Sequence, residues 1–126
     1  MSLTRKSILV VEDDEPLRNL MESLLLMEGF EVRSAVDGPQ ALRLIAEQTP
    51  DLIVLDLMLP WMNGIEVLTA LRQQPHLLTV PVLVTTGTAT SPFDLRSFNP
   101  VRVMRKPLDV DTIVPTVRGL LERAED

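Results

Sequence analysis

The 126-residue chain contains no cysteine and no tyrosine, and its aromatic residues are limited to one Trp and three Phe. Without cysteine, neither a disulfide framework nor a thiolate metal site can form, which agrees with a reducing cytoplasm. No apolar run comes near the roughly 20 residues that a transmembrane helix requires, and no signal peptide is visible. We therefore expect a cytoplasmic location and no membrane association.

Positive charge is also scarce. The 12 Lys and Arg residues are outnumbered by 18 Asp and Glu, which gives a formal net charge of -6, and no basic cluster forms a stripe that could track phosphates. We expect no direct nucleic-acid binding by this segment. The length is that of one domain with a substantial core, so we predict a single domain over residues 1–126 and interpret residues 1–3 as a remnant of cloning.

Short apolar runs alternate with helix-like segments along the chain, which is typical of an α/β fold with right-handed crossovers. Runs rich in Val, Ile and Leu predict strands that are buried on both faces of a parallel sheet, with helices covering it. Five such strands are predicted, at residues 7–11, 31–35, 52–56, 81–86 and 101–105.

Helices are predicted between these strands. The first begins at Glu15 and ends at Gly29, Asp37 is expected to cap the second, and Asn63 precedes the third. Prolines in the segment 87–100 leave room for only a short helix there. The predicted core face of the first helix consists of Leu17, Leu20, Met21, Leu24 and Met27. The apolar positions of the last helix are Ile113, Val117, Leu120, Leu121 and Ala124.

Carboxylates end two of the predicted strands. Glu12 and Asp13 follow the first strand, and Asp56 ends the third. Ligands of parallel sheets bind outside the carboxyl ends of the strands, so these groups are expected to meet at one edge. Like charges at close range raise one another's pKa, and Mg²⁺, which prefers oxygen ligands, would compensate for them. The alternative is an acidic patch that caps the first helix.

Lys106 and Thr86 extend this candidate site. Lys106 ends the fifth strand and supplies a mobile positive charge that can pair with Asp56 and with a phosphoryl group. Thr86 ends the fourth strand with a hydroxyl, next to Gly87. Each has an ordinary alternative, namely a surface lysine that neutralises the acidic edge and a common strand residue. Together with the carboxylates, they supply what phosphoryl transfer to a carboxylate needs.

Four segments carry a resemblance to a known family. In chain order they are VVEDDEP at 10–16, DLMLPWMNG at 56–64, VTTG at 84–87 and KP at 106–107. With these segments in this order and at this spacing, the chain resembles the receiver domain of a two-component response regulator over nearly its whole length. The resemblance implies a flavodoxin-like, doubly wound parallel sheet of strand order 2-1-3-4-5, with helices on both faces.

The resemblance also implies roles for single residues. Asp56 would be the phosphoacceptor, and Mg²⁺ would be held by Glu12 and Asp13, directly or through water, together with Asp56 and the backbone carbonyl of Met58. Thr86 would bond a phosphoryl oxygen, and Lys106 would pair with the phosphate. The Lys106-Pro107 peptide bond would be cis, which an X-Pro bond permits.

A signalling role follows from the same resemblance. The phosphodonor would be a histidine kinase or a histidine phosphotransfer protein, and the phosphorylated domain would switch a downstream protein or output domain. Such a domain is not an enzyme beyond its own phosphorylation and dephosphorylation. Met58 and Thr88 would flank the water that hydrolyses the acyl phosphate, and the response would bias the face built from the fourth helix, fifth strand and fifth helix.

Two departures from the family concern that face. Val103 stands where receivers usually carry Tyr or Phe, and the stretch from Thr86 to Lys106 is about two residues shorter than is common in the family. A degenerate receiver that binds partners without phosphorylation is therefore the main alternative. A phosphohydrolase is less favoured because Met58 replaces its second acid, and a flavodoxin-like cofactor binder because the loop after the first strand is acidic.

Two further residues carry predictions of their own. Trp61 is expected to be an exposed residue that packs on its own loop rather than one that contacts a partner, and His76 is expected at the surface without a role. The cognate kinase, the pathway, the oligomeric state and the length of the intact protein stay open.

Overall fold

The computed structural model describes residues 5–87 and 95–125. The predictions made for residues 1–3 and for Thr88 concern positions outside this part of the chain. Half of the proline-containing segment 87–100, namely residues 88–94, also lies outside it.

A single parallel sheet organises the described residues, and its strand order is β2-β1-β3-β4-β5, as predicted. The strands are β1 Ser7–Val11, β2 Glu31–Ala35, β3 Leu52–Asp56, β4 Val82–Thr86 and β5 Val101–Arg105. Only β4 differs from its predicted bounds. It begins one residue later because Pro81 has no N–H for the ladder, although its carbonyl accepts a hydrogen bond from Ile53 N at 3.1 Å.

Four α-helices accompany the sheet in the described part of the chain, and three of them begin at side-chain caps. The helices are α1 Glu15–Met27, α2 Gly38–Glu47, α3 Gly64–Arg72 and α4 Val110–Glu125, with 3-10 turns at Pro75–Leu77 and Leu95–Phe98. Asp14, Asp37 and Asn63 each accept a hydrogen bond from a backbone N–H of the first turn, at 2.8 to 3.0 Å. Short polar side chains favour this position because they satisfy helix N–H groups that have no partner within the helix.

Alternation along the buried strands divides the core into two layers. The first, which we call the α2/α3 face, contains Leu9, Ile53, Leu55, Val82 and Val84 together with buried residues of α2 and α3. The second, the α1/α4 face, contains Ile8, Val10, Leu52, Val54 and Leu83 together with buried residues of α1 and α4. Side chains of successive strand residues point to opposite faces, so both faces of the sheet are covered by helices, as predicted.

The predicted core face of α1 is partly wrong. Met27 is 83% exposed and Leu20 is 39% exposed, whereas Met21 and Leu25 are buried. Met21 and Leu25 are four residues apart, so they lie on the same face of the helix, one turn from each other. The predicted core face was too wide, because it included residues on either side of this buried pair. On α4 the prediction holds for four positions, but Ala124 is exposed. The helix α1 ends as expected before Gly29, whose φ of 90° is favourable for glycine.

The strand β5 lies at the sheet edge and is largely exposed. Val103 is 45% exposed, so the position at which the resemblance implies an aromatic ring holds a small side chain that is open to solvent. In the described part of the preceding segment, the helical structure is the 3-10 turn Leu95–Phe98. Among residues 5–87 and 95–125, no helix combines the length and the apolar character that a membrane span would need.

Candidate functional site

The three acidic residues predicted to converge do so at the carboxyl edge of the sheet. The strands β1 and β3 are neighbours, with Val11 beside Leu55, so Glu12 and Asp56 follow at the same level. Glu12, Asp13 and Asp56 each offer a carboxylate oxygen, and these oxygens all lie within 4.8 Å of one another. Glu12 and Asp56 are buried, whereas Asp13 is exposed.

Lys106 reaches this cluster from β5, across the end of β4. Its Nζ donates to Glu12 Oε1 at 3.0 Å and to Asp56 Oδ2 at 3.1 Å. The predicted pairing with Asp56 is therefore present, and Glu12 is a second partner that the sequence did not suggest. The Lys106–Pro107 peptide bond is cis, as the resemblance implied.

The Asp56 carboxylate is oriented by its own loop as well. Its Oδ1 accepts a hydrogen bond from Met58 N at 3.0 Å, while its Oδ2 faces Lys106. The loop is anchored on both sides, because Leu57 N donates to Thr85 O at 3.0 Å and Gly64 N donates to Leu57 O at 2.9 Å. The nucleophile candidate is thus held between β4 and the start of α3.

Burial dominates the electrostatics of the cluster. Removal of Glu12 from water raises its pKa from 4.5 to about 7, and the nearby Asp56 contributes in the same direction, although the Asp14 N–H and Lys106 oppose the rise. For Lys106, burial by itself would lower the pKa, but the hydrogen bonds to Glu12 and Asp56 outweigh it and the pKa is raised. The positive charge of Lys106 is therefore well retained beside the carboxylates.

The donor set fits a hard divalent cation. The candidate ligand atoms of the three side chains are carboxylate oxygens, which suit Mg²⁺. Because Asp13 is exposed, the cluster is open to solvent. The raised pKa of Glu12 indicates that its hydrogen bond with Lys106 does not compensate for its burial. A second cation would favour the ionised form of Glu12.

Thr86 and its neighbour Thr85 are both buried at the end of β4. Alternation puts Thr86 with Val82 and Val84 on the α2/α3 face, and in register Thr86 lies beside Arg105. The residue directly beside Asp56 is Thr85. Sequence reasoning passed over Thr85, although its spacing of two from Leu83 could have indicated the face on which it lies.

The prediction for Trp61 is half right, because the residue is exposed as expected but does not pack. Its side chain is 89% exposed, and its backbone has a φ of 69° in the left-handed region. A side chain that exposed does not pack on its own loop. Met58, in the same loop, is 66% exposed, so both apolar side chains project from the edge that carries the acidic cluster. His76 is exposed, as predicted.

Comparisons with known proteins converge on one description. A family model described as "Response regulator receiver domain" matches residues 8–118. The chain is 40% identical over 126 residues to "DNA-binding response regulator MtrA" of Mycolicibacterium smegmatis, an alignment that covers 100% of this chain and 55% of that protein. It is 38% identical over 123 residues to "Alkaline phosphatase synthesis transcriptional regulatory protein PhoP" of Bacillus subtilis, covering 95% of this chain and 50% of that protein.

Solved structures agree with these sequence matches. The chemotaxis protein CheY4 of Vibrio cholerae is similar to this chain with a TM-score of 0.85 and 28% sequence identity, over 93% of this chain and 99% of that one. The chain spans about half the length of the two curated relatives, 55% of one and 50% of the other.

Proposed function

The chain belongs to the response regulator receiver domain family, and from this premise we propose that Asp56 accepts a phosphoryl group in a Mg²⁺-dependent reaction. Members of this family are signalling domains of two-component systems rather than enzymes of the usual kind. The observation that carries the proposal is a buried Asp56 carboxylate, held 3.1 Å from Lys106 and beside two further carboxylates at one sheet edge.

The chemistry is nucleophilic attack by the carboxylate. One Asp56 oxygen attacks the phosphorus of a phosphohistidine, the new O–P bond forms as the P–N bond breaks, and the electron pair stays on the imidazole nitrogen. The hydrogen bonds from Met58 N and Lys106 Nζ orient the carboxylate for this attack. Hydrolysis of the acyl phosphate by water, catalysed by the domain itself, then ends the signal.

Glu12, Asp13 and Asp56 are the side chains that would hold Mg²⁺, with the backbone carbonyl of Met58 as a further ligand. When bound, the cation offsets the negative charge that the phosphoryl group brings to an already acidic edge. The chain's own residues complete the site. Lys106 is placed to pair with a phosphoryl oxygen, and Thr86 would supply a hydroxyl to another after a local movement.

Partners follow from this chemistry. We propose a histidine kinase or histidine phosphotransfer protein as the donor, a downstream protein or output domain as the receiver of the signal, and a cytoplasmic location. Residues 1–126 would form one receiver domain. The Val103 side chain, 45% exposed on β5, suits an output that does not depend on a swinging aromatic ring. A degenerate, phosphorylation-independent receiver is not favoured, because every position of the phosphorylation site is filled and Lys106 contacts both Glu12 and Asp56.

Intact mass spectrometry tests the proposal. The protein is incubated with Mg²⁺ and acetyl phosphate, or with a phosphorylated histidine kinase, beside Asp56→Asn and the control Asp111→Asn, which changes an exposed acid at the start of α4. Unaltered protein and the control should each gain one labile phosphoryl group, and Asp56→Asn none. Failure of the unaltered protein to gain mass with both donors refutes the proposal.

A further inference from the structure

A second buried threonine lies beside the candidate phosphoacceptor. Thr85 is 1% exposed and directly adjacent to Asp56 in the register of β3 and β4. Its Oγ1 is buried and has no hydrogen-bond partner among the residues that the structure describes. Its backbone is engaged separately, because the Thr85 carbonyl accepts from Leu57 N. In Thr85, the side-chain hydroxyl therefore lacks a hydrogen-bond partner although the backbone carbonyl has one.

Alternation places this hydroxyl on the side of the sheet that carries the site. Thr85 follows Leu83 by two residues, and Asp56 follows Val54 by two, so both belong to the α1/α4 face. Lys106 follows Met104, which packs against the same layer. Thr85 thus lies on the strand between β5 and β3, on the same side of the sheet as Lys106 and Asp56.

A buried hydroxyl without a partner needs an explanation. Such groups are rare in native proteins, since they have lost their hydrogen bonds to water and gained none. A strand position with this burial is suited to valine, which has the shape of threonine and no polar atom. The hydroxyl at position 85 therefore destabilises the described arrangement, and a second arrangement that satisfied it would be favoured.

We propose that Thr85 is a positioning residue whose hydroxyl donates to Asp56 once the phosphoryl group draws Lys106 away. Lys106 Nζ donates to Asp56 Oδ2 in the described arrangement. When Nζ moves to a phosphoryl oxygen, that carboxylate oxygen loses its donor. Neighbouring strands are about 4.8 Å apart, so a rotation about the Thr85 side-chain bond brings its O–H within reach. The inference rests on the proposed phosphorylation of Asp56.

The consequence is a bias toward the phosphorylated state. The Thr85 hydroxyl has no hydrogen-bond partner before Lys106 moves and donates to Asp56 afterwards. The free energy of this hydrogen bond therefore favours the state in which Lys106 has moved. Removing the hydroxyl while keeping the shape of the side chain should stabilise the protein without ligand and weaken its response to phosphorylation.

Ligand-dependent melting tests this inference, with Mg²⁺ and beryllofluoride as the probe that stands in for a phosphoryl group on Asp56. Four proteins are compared: unaltered, Thr85→Val, Thr85→Ser and Ser34→Ala. Ser34 provides the matched control because its buried Oγ also has no partner among the described residues, and it lies on β2, two strands from Asp56.

Thr85→Val should bind the probe about tenfold more weakly, the equivalent of one buried hydrogen bond, while Thr85→Ser and Ser34→Ala stay within about twofold of the unaltered protein. Without the probe, Thr85→Val and Ser34→Ala should melt no lower than the unaltered protein. If Thr85→Val binds the probe as tightly as the unaltered protein does, or if Thr85→Ser weakens binding as much as Thr85→Val does, this inference is overturned. The proposed phosphorylation of Asp56 is not affected by either result. Failure of the unaltered protein to bind the probe overturns the proposed function and this inference with it.

Discussion

Replacing Gly64 with alanine should damage both the stability and the phosphorylation site. Gly64 is the first residue of α3, and it is buried against the strand end that carries Asp56. A Cβ at this position would lie 2.6 Å from Leu57 Cα and 2.8 Å from Asp56 O. Both neighbours are backbone atoms, so neither can rotate away. The helix and the loop would have to move apart.

The size of the effect follows from those distances. Ordinary contact begins at 3.4 Å, so the new methyl group is roughly 0.8 Å too close to Leu57 Cα. Overpacking of this kind costs about 1–3 kcal/mol, while the lower backbone entropy of unfolded alanine returns about 0.4–1 kcal/mol. Because both close contacts are to backbone atoms, the upper end of the overpacking range applies. We expect Gly64→Ala to lower the free energy of unfolding by roughly 2 kcal/mol, which corresponds to a loss of about 8 °C in Tm.

Gly38→Ala is the matched control. Gly38 is also the first residue of a helix behind an Asp or Asn cap, but its new Cβ would meet only the Met62 side chain, at 2.9 to 3.0 Å. A flexible methionine can move, so the change in free energy should stay within about 1 kcal/mol of zero.

Urea denaturation and the rate of phosphorylation by acetyl phosphate provide the two readouts. A shift of the Asp56 backbone by a few tenths of an ångström should slow phosphorylation of Gly64→Ala about tenfold or more, because attack depends on close alignment. Gly38→Ala should react at the rate of the unaltered protein. If the two variants are equally stable and equally reactive, the close approach at Gly64 does not constrain Asp56 and the reasoning is refuted.

Three further predictions concern charged groups. Arg72 donates to four backbone carbonyls at 2.6 to 3.2 Å, so Arg72→Met should lower the unfolding free energy by about 3 kcal/mol in urea; a loss below about 1 kcal/mol would contradict this role. When a chelator has removed the metal, the raised pKa of Glu12 means that the folded state holds this proton more tightly than the unfolded chain does. The resulting stabilisation is complete below pH 4.5 and is lost as the pH rises through about 7. Glu12→Gln should flatten that decline, and an unchanged pH profile would count against it. Lys106→Met should bind Mg²⁺ roughly fivefold more tightly by calorimetry, since the competing ammonium is gone, and weaker binding would show that Lys106 does not compete.

Strand and cap positions were predictable because their causes are local. A strand buried on both faces cannot contain an unpaired charge, so the charges at positions 12 and 56 mark the ends of the buried strands β1 and β3. The same argument does not apply to Lys106, because β5 is largely exposed and contains Arg102 and Arg105. Asp37 and Asn63 identify helix starts because their short side chains pair with the first helical N–H groups. The convergence of Glu12, Asp13 and Asp56 followed from the rule that parallel strands present their carboxyl ends together.

Predictions failed where the outcome depends on neighbours far along the chain. The helical spacing in α1 does not reveal which side of the stripe faces the sheet, so Leu20 and Met27 were assigned to the core and are exposed. Nothing near Trp61 in the chain indicates what is available to cover it, and its side chain is 89% exposed.

The amino-acid sequence is enough to place the acids, Lys106 and a threonine hydroxyl at one edge of a parallel sheet. The reason is that short stretches of sequence determine which strand residues are apolar and on which face each side chain lies. The sequence cannot show that Lys106 also contacts Glu12, or that Thr85 rather than Thr86 lies beside Asp56. Those facts depend on the register between strands that are about 30 to 90 residues apart. Register is set by how all the helices and strands pack at once, so it is absent from any single segment and appears only in the folded chain.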